Sequence, residues 1–216
     1  MGSIMMHLCI SEIYRKKHNL SDKFLVGSIL PDIYKQTIMN KAKSHYLKNI
    51  EFNNKIRLLP DISKFMAENK KECKDEIIIG YLAHLLEDYV WFNNIINECV
   101  EECGKDENGR ELYRYKNEDY KILHNSDHFI KNIYEDYNYL DEVLIEKIPI
   151  DIERIKEKTK IFLNNDEKSV KVIDEQIIMH KAIENRENFF ITEDIANIYI
   201  EMCLKVLEKY IDIFIS

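Results

Sequence analysis

Apolar residues recur at intervals of three and four along most of this chain, and the two-residue alternation of half-buried strands is scarce. The pattern predicts a first helix over 4–18, a turn through His18-Asn19-Leu20-Ser21-Asp22, and then the segment FLVGSILPDIYKQT, where Gly27 and Pro31 break the periodicity. Helical spacing returns over 53–69, interrupted at Pro60-Asp61, and a strong run extends from about 74 to 103. A loop follows from Gly104 to Gly109. Beyond it the spacing predicts helices at about 117–137, 139–146, 151–163, 167–188 and 193–214, the last two amphipathic. The expectation is an all-α fold: one domain over 1–216, a multi-helix bundle around a buried central helix at about 74–103.

Composition supports this. The chain has 216 residues, enough for one domain with a sizeable core, and only 5 glycines and 3 prolines to interrupt helices. No internal repeat or interdomain linker stands out. Net charge is −8 with both signs interleaved, which lacks the basic footprint of a duplex nucleic-acid binder. The start, MGSIMMHLCISEIYRKKHNL, has no basic region ahead of its short apolar stretch and no run of membrane-spanning length, so the reading is a soluble, cytoplasmic protein. Cys9, Cys73, Cys99, Cys103 and Cys203 are odd in number and irregularly spaced, which predicts free thiols. Cys99 and Cys103 would share a helix face as metal ligands, but no second cysteine pair accompanies them.

The chemistry concentrates in GYLAHLLEDYVWF, residues 80–92. On a helix turning about 100° per residue, His84 and Asp88 lie about 40° apart, sharing a face with Tyr81, Leu85 and Phe92. The opposite side offers Ile79, Ala83, Leu86 and Val90. A helix apolar nearly all round is buried, and an ionised carboxylate there costs several kcal/mol unless a cation compensates. Two cations are open: a protonated His84 paired with Asp88, or a metal ion held by both.

Other segments add candidates. His7 sits in the apolar MMHLCI, where a neutral, satisfied core histidine is the plain alternative. Asp32 follows Pro31 in GSILPD and reads equally as a turn residue or a cap. His45 in KAKSHY would be ordinary on a surface. His124 and His128 in LHNSDHF are four apart on a predicted helix, the spacing by which a helix offers two imidazoles to one ion. His18 and His180 have no partners at such spacings and are left as surface or core residues.

Taken in order, the early H-L of the first helix, G-S-I-L-P-D, K-x-x-S-H-Y and G-Y-L-A-H-L-L-E-D-Y resemble the zinc-dependent phospholipase C family. Its wider superfamily includes secreted phosphatidylcholine hydrolases and fungal single-strand nucleases. The resemblance covers roughly residues 5–92 well and the rest loosely. It implies that His7, Asp32, His45, His84 and Asp88 hold zinc, with Asp88 bridging two ions and Asp32 serving as ligand or general base. In the secreted enzymes a third ion uses two histidines and a glutamate downstream. Here the position ten after His84 is Asn94, and His124 with His128 would supply the imidazoles, with Asp127, Asp119 or Glu118 as the carboxylate. Those enzymes also ligate zinc through the amine and carbonyl of the mature first residue, whereas here Met1 lies six residues before His7. The resemblance therefore implies two or three zinc ions and a phosphoesterase acting on a small phosphoester or a phospholipid headgroup. A phosphatase, a nuclease, and a non-catalytic helical binding protein with a structural metal are the alternatives. Clustered divalent ions suit such hydrolysis because they acidify a shared water and neutralise charge on phosphoryl oxygens. Tyr81, Tyr89 and Trp91 read first as core packing.

Overall fold

The computed structural model describes residues 3–52, 55–116, 123–177 and 191–216. Its fold is mostly helical and carries two small antiparallel sheets. Helix α1 spans Ile4–His18, α2 Asp22–Thr37, and the short α3 Lys41–Ser44. Strands β1 (Leu47–Phe52) and β2 (Lys55–Pro60) then pair as a hairpin, with Ile50 opposite Arg57. Helix α4 (Ile62–Glu68) and a 3₁₀ turn (Lys70–Glu72) lead into α5, Glu76–Val90. A π-helical turn at Trp91–Ile95, the short α6 (Ile96–Cys99), and strands β3 (Val100–Lys105), β4 (Glu111–Tyr115) and β5 (His124–Asn125) follow. The chain closes with α7 (Ser126–Lys147), α8 (Ile152–Phe162), α9 (Glu167–Gln176) and α10 (Glu193–Ile215).

Helix starts follow local chemistry. The side chains of Ser3, Ser21, Asp75, Asn125 and Thr192 each accept a backbone N–H from the first turn of the helix they precede. Helix α5 is central, as its apolar circumference predicts, and buries twelve of its fifteen residues, including His84, Glu87 and Asp88. Its most extensive helical contact is with α2. Glycine permits that crossing: a Cβ on Gly80 would lie 2.0 Å from the Phe24 carbonyl oxygen, and one on Gly27 2.1 Å from that of Ile77.

Several expected boundaries change. Gly27 and Pro31 do not break α2, which runs through both; Gly27 is the contact point with α5. The helix expected to reach 103 loosens into the π turn after Val90 and gives way to β3, which pairs with β4. The first half of the expected 53–69 helix is instead β2, because β1 supplies backbone partners that local periodicity does not register. Within the expected 117–137 helix, 117–122 lie outside the described residues, and α7 starts only at Ser126 before absorbing the separate element expected at 139–146. Helix α9 ends at Gln176, and 178–188 lie outside the described residues, as does His180. All five cysteines are free. Cys99 ends α6 and Cys103 lies in β3, so they do not share a helix face. Among the described residues, no helix is long and apolar enough to cross a membrane.

Candidate metal centre

Four segments far apart in sequence converge beside α5. Helix α1 brings His7, α2 brings Asp32, the residue capping the C-terminus of α3 is His45, and α5 supplies His84 and Asp88. Every one of them is buried. Single ligand atoms of His7, Asp32 and His84 lie within 4.8 Å of one another, and so do those of His45, His84 and Asp88.

Closest approaches within this group are consistent. His45 Nε2 is 3.3 Å from Asp32 Oδ1 and 3.4 Å from His84 Nε2. His7 Nε2 is 3.5 Å from Asp88 Oδ1, while Asp88 Oδ2 lies 3.8 Å from His45 Nε2 and 3.9 Å from His84 Nε2. A tetrahedral ion with bonds of about 2.0–2.1 Å separates its ligand atoms by about 3.3–3.4 Å, which the approaches of 3.3, 3.4 and 3.5 Å come close to, while those of 3.8 and 3.9 Å are wider.

The imidazoles are oriented alike. His84 Nδ1–H donates to the Ser28 carbonyl of α2 at 2.8 Å, which leaves Nε2 as the bare nitrogen facing the cluster. His45 Nδ1 lies 2.8 Å from Ser44 Oγ, whose own hydroxyl donates to the Lys41 carbonyl, so the imidazole N–H is the donor to Ser44. The Ser44 carbonyl in turn accepts the Tyr81 hydroxyl. His7 Nδ1 is 2.6 Å from Glu87 Oε2, and Ser11 Oγ donates to the other oxygen of that carboxylate at 3.3 Å. Each ring is thus tied from outside through Nδ1 and turns Nε2 inward, the arrangement by which outer partners fix metal-binding histidines.

Electrostatics divide the group. Burial, with the positive charge of His7 behind it, lowers His84 to about 3, so this ring is neutral. Burial would also lower His7, but the carboxylates of Asp88 and Glu87 beside it outweigh that and push the ring up to about 10. For Asp88, burial acts upward, yet the groups around it, His7 among them, hold its carboxyl below the ordinary range. Asp32 is held well below that range too, against burial, by its neighbours, His45 first and the ammonium of Lys35 among them. Burial raises Glu87 to about 7 even with His7 and Ser11 beside it.

Among the described residues, two buried polar atoms of this group have no hydrogen-bond partner: His7 Nε2 and Asp88 Oδ1, which face one another. A buried donor or acceptor without a partner costs about 1–3 kcal/mol, and a divalent ion between them would remove that cost. By donor type, spacing and orphaned atoms, the two three-residue groups are compatible with a metal ion.

The second pair of histidines stands apart. His124 lies in β5 opposite Tyr113, its ring 4.6 Å from that of Tyr115, while His128 is exposed in the first turn of α7 with its N–H capped by Asn125. Because the chain changes from strand to helix between them, the four-residue spacing does not bring the two imidazoles onto one helix face. Neither belongs to the two clusters found among the described residues. Asp127 is exposed near Arg110, and Glu118, Asp119 and Met1 lie outside the described residues. Asn94 falls in the π turn and is half-buried. Tyr81 and Trp91 are core residues, and His18 pairs with Glu208 at 2.9 Å on the surface.

Glu87 was not singled out by sequence. It lies about 60° from His84 around a helix that is apolar nearly all round, and that position was the available signal. Compared with known proteins, the chain matches no family model, no curated protein and no solved structure.

Proposed function

We propose that this protein is a metal-dependent phosphoester hydrolase resembling the zinc-dependent phospholipases C, with zinc held by His7, Asp32, His45, His84 and Asp88. The observation that supports this reading best is the shared orientation of three imidazoles whose Nδ1 atoms are tied outward while their Nε2 atoms face two ionised carboxylates. Zinc bound there would acidify water and neutralise charge on a phosphoryl group. The protein's own groups do the rest. Ser28, Ser44 and Glu87 fix the rings, and Asp88, within 3.5–3.9 Å of all three of them, would be a carboxylate ligand of the bound zinc. Asp32 stays ionised beside His45, and so is able to accept a proton from an attacking water or to complete a ligand set. Lys35, 2.6 Å from Asp32 and only partly covered, adds positive charge at the edge of the group where an anionic substrate would arrive.

Elemental analysis of untagged protein purified without chelators tests this. The expected result is two or more zinc ions per chain, lost in Asp88→Ala and His84→Ala, with hydrolysis of bis-p-nitrophenyl phosphate lost alongside. A panel adding p-nitrophenyl phosphate, a phosphorylcholine ester and single-stranded DNA separates phospholipase, phosphatase and nuclease. One observation favours a second reading, a non-catalytic polar core: His7 as an imidazolium between Glu87 and Asp88 already balances a buried charge. Protein that holds no zinc, and binds none when zinc is added, would establish that reading in place of the hydrolase.

A further inference from the structure

A second polar feature lies where α5 passes into the π turn. The cavity there has a volume of about 680 Å³ and is lined by groups from β2, the turn, α6, the β3–β4 sheet and α7. Among the described residues Arg57, on β2, enters it with a single hydrogen bond, a long one of 3.4 Å from Nη1 to the Phe92 carbonyl. Its Nε is buried without a partner, and the Asn93 side-chain carbonyl in the same wall has none either. Among the described residues no carboxylate lies within ion-pairing distance of Arg57. Arginine presents a planar fork suited to an oxyanion, and leaving part of that fork buried and unused is costly unless a ligand takes it.

Opposite charge is present in the same cavity but does not meet the arginine. Glu98 lines it with no cation within ion-pairing distance among the described residues, while the neighbouring Glu101 is already held by Arg114. Stacked rings of Tyr113 and Phe129, centroids 4.3 Å apart, form an aromatic wall beside these acids. A dianion would gain the Arg57 guanidinium and the Lys116 ammonium, which already donates to the Asn97 carbonyl at 3.1 Å, but it would meet three glutamates, Glu98, Glu101 and Glu102. A molecule carrying one singly charged oxyanion and one positive nitrogen satisfies both ends, and aromatic faces attract the cationic end as well.

We propose that this cavity binds a small zwitterion, its oxyanion held by Arg57 and Asn93 and its cationic nitrogen by Glu98. The site is independent of the metal centre. Calorimetric titration of the full chain with 6-aminohexanoate tests it, with hexanoate and hexylamine as probes that each keep one end. The expected result is saturable binding of 6-aminohexanoate at least tenfold tighter than either half-probe, weakened tenfold or more by Arg57→Gln and by Glu98→Gln. Dependence on the exposed Glu98 also excludes a carboxylate seated on the zinc ligands, and it decides the matter even if Arg57→Gln fails to fold. Absence of binding, equal affinity for hexanoate, or indifference to Glu98→Gln would overturn the proposal.

Discussion

Asp88 on α5 and Asp141 on α7 are each 1% exposed, yet their surroundings drive them in opposite directions. Asp88 faces three imidazoles and stays ionised against the cost of burial. Asp141 accepts the Ser3 hydroxyl and has the charge of His7 near it, but burial prevails, pushing its carboxyl up to about 7. Depth in the core therefore does not decide whether a carboxyl is charged. The number of cationic or donor groups brought to it does, and the α1–α2–α5 junction was built to bring many.

The largest way to break this contrast is to separate the helices that create it. Gly80→Ala places a methyl group against the Phe24 carbonyl, at a built distance of 2.0 Å, so α2 must move off α5 and withdraw Ser28 from His84. The expected cost exceeds about 4 kcal/mol, seen as an unfolded chain or a collapse in urea midpoint.

Next is Asp141 itself. Its ordinary value of 3.8 applies to the unfolded chain and about 7 to the folded one. Between those values the unfolded state releases a proton that the folded state keeps. The contribution of Asp141 to stability is therefore full at about pH 4 and below, falls as pH rises to about 7, and is lost above, a total of about 4 kcal/mol. Asp141→Asn should flatten that slope and stabilise the protein at pH 8, checked by urea unfolding at pH 4 and pH 8. A variant no more stable than the parent at pH 8 would mean that Asp141 is ionised and paired after all.

Smaller still is Ser44→Ala, which removes the acceptor that orients His45 while leaving the ligands intact. Zinc affinity should fall about tenfold, about 1.4 kcal/mol, by competition with a chelating dye. The same measurement on Asp141→Asn should show little change, and this sharpens the distinction between the two regions.

Much of the α-helical scaffold was legible because its signal is local. The run around 76–90, α1 and α10 follow directly from apolar spacing and from few interrupting residues. The β hairpin and β3–β4 were not, since strand pairing is a relation between segments, and β2 exposes Ile56 and Leu58 while burying Leu59, a pattern without clean alternation. Convergence of His7, Asp32, His45, His84 and Asp88 was foreseen through the order of four motifs rather than through any property of one residue. His124 and His128 went otherwise because four-residue spacing has meaning only inside a helix, and the helix begins between them. Glu87 was overlooked beside Asp88, although its place on the same buried helix marks it as needing a partner.

The acceptors that hold the three rings differ in kind. Those for His7 and His45 are side chains, open to loss by any substitution at Glu87 or Ser44, but that for His84 is the main-chain oxygen of Ser28. Replacing Ser28 by another small residue leaves that oxygen in place. The tautomer of the central imidazole is thus shielded from mutational drift at its neighbour, while its two companions depend on particular side chains that drift can erase.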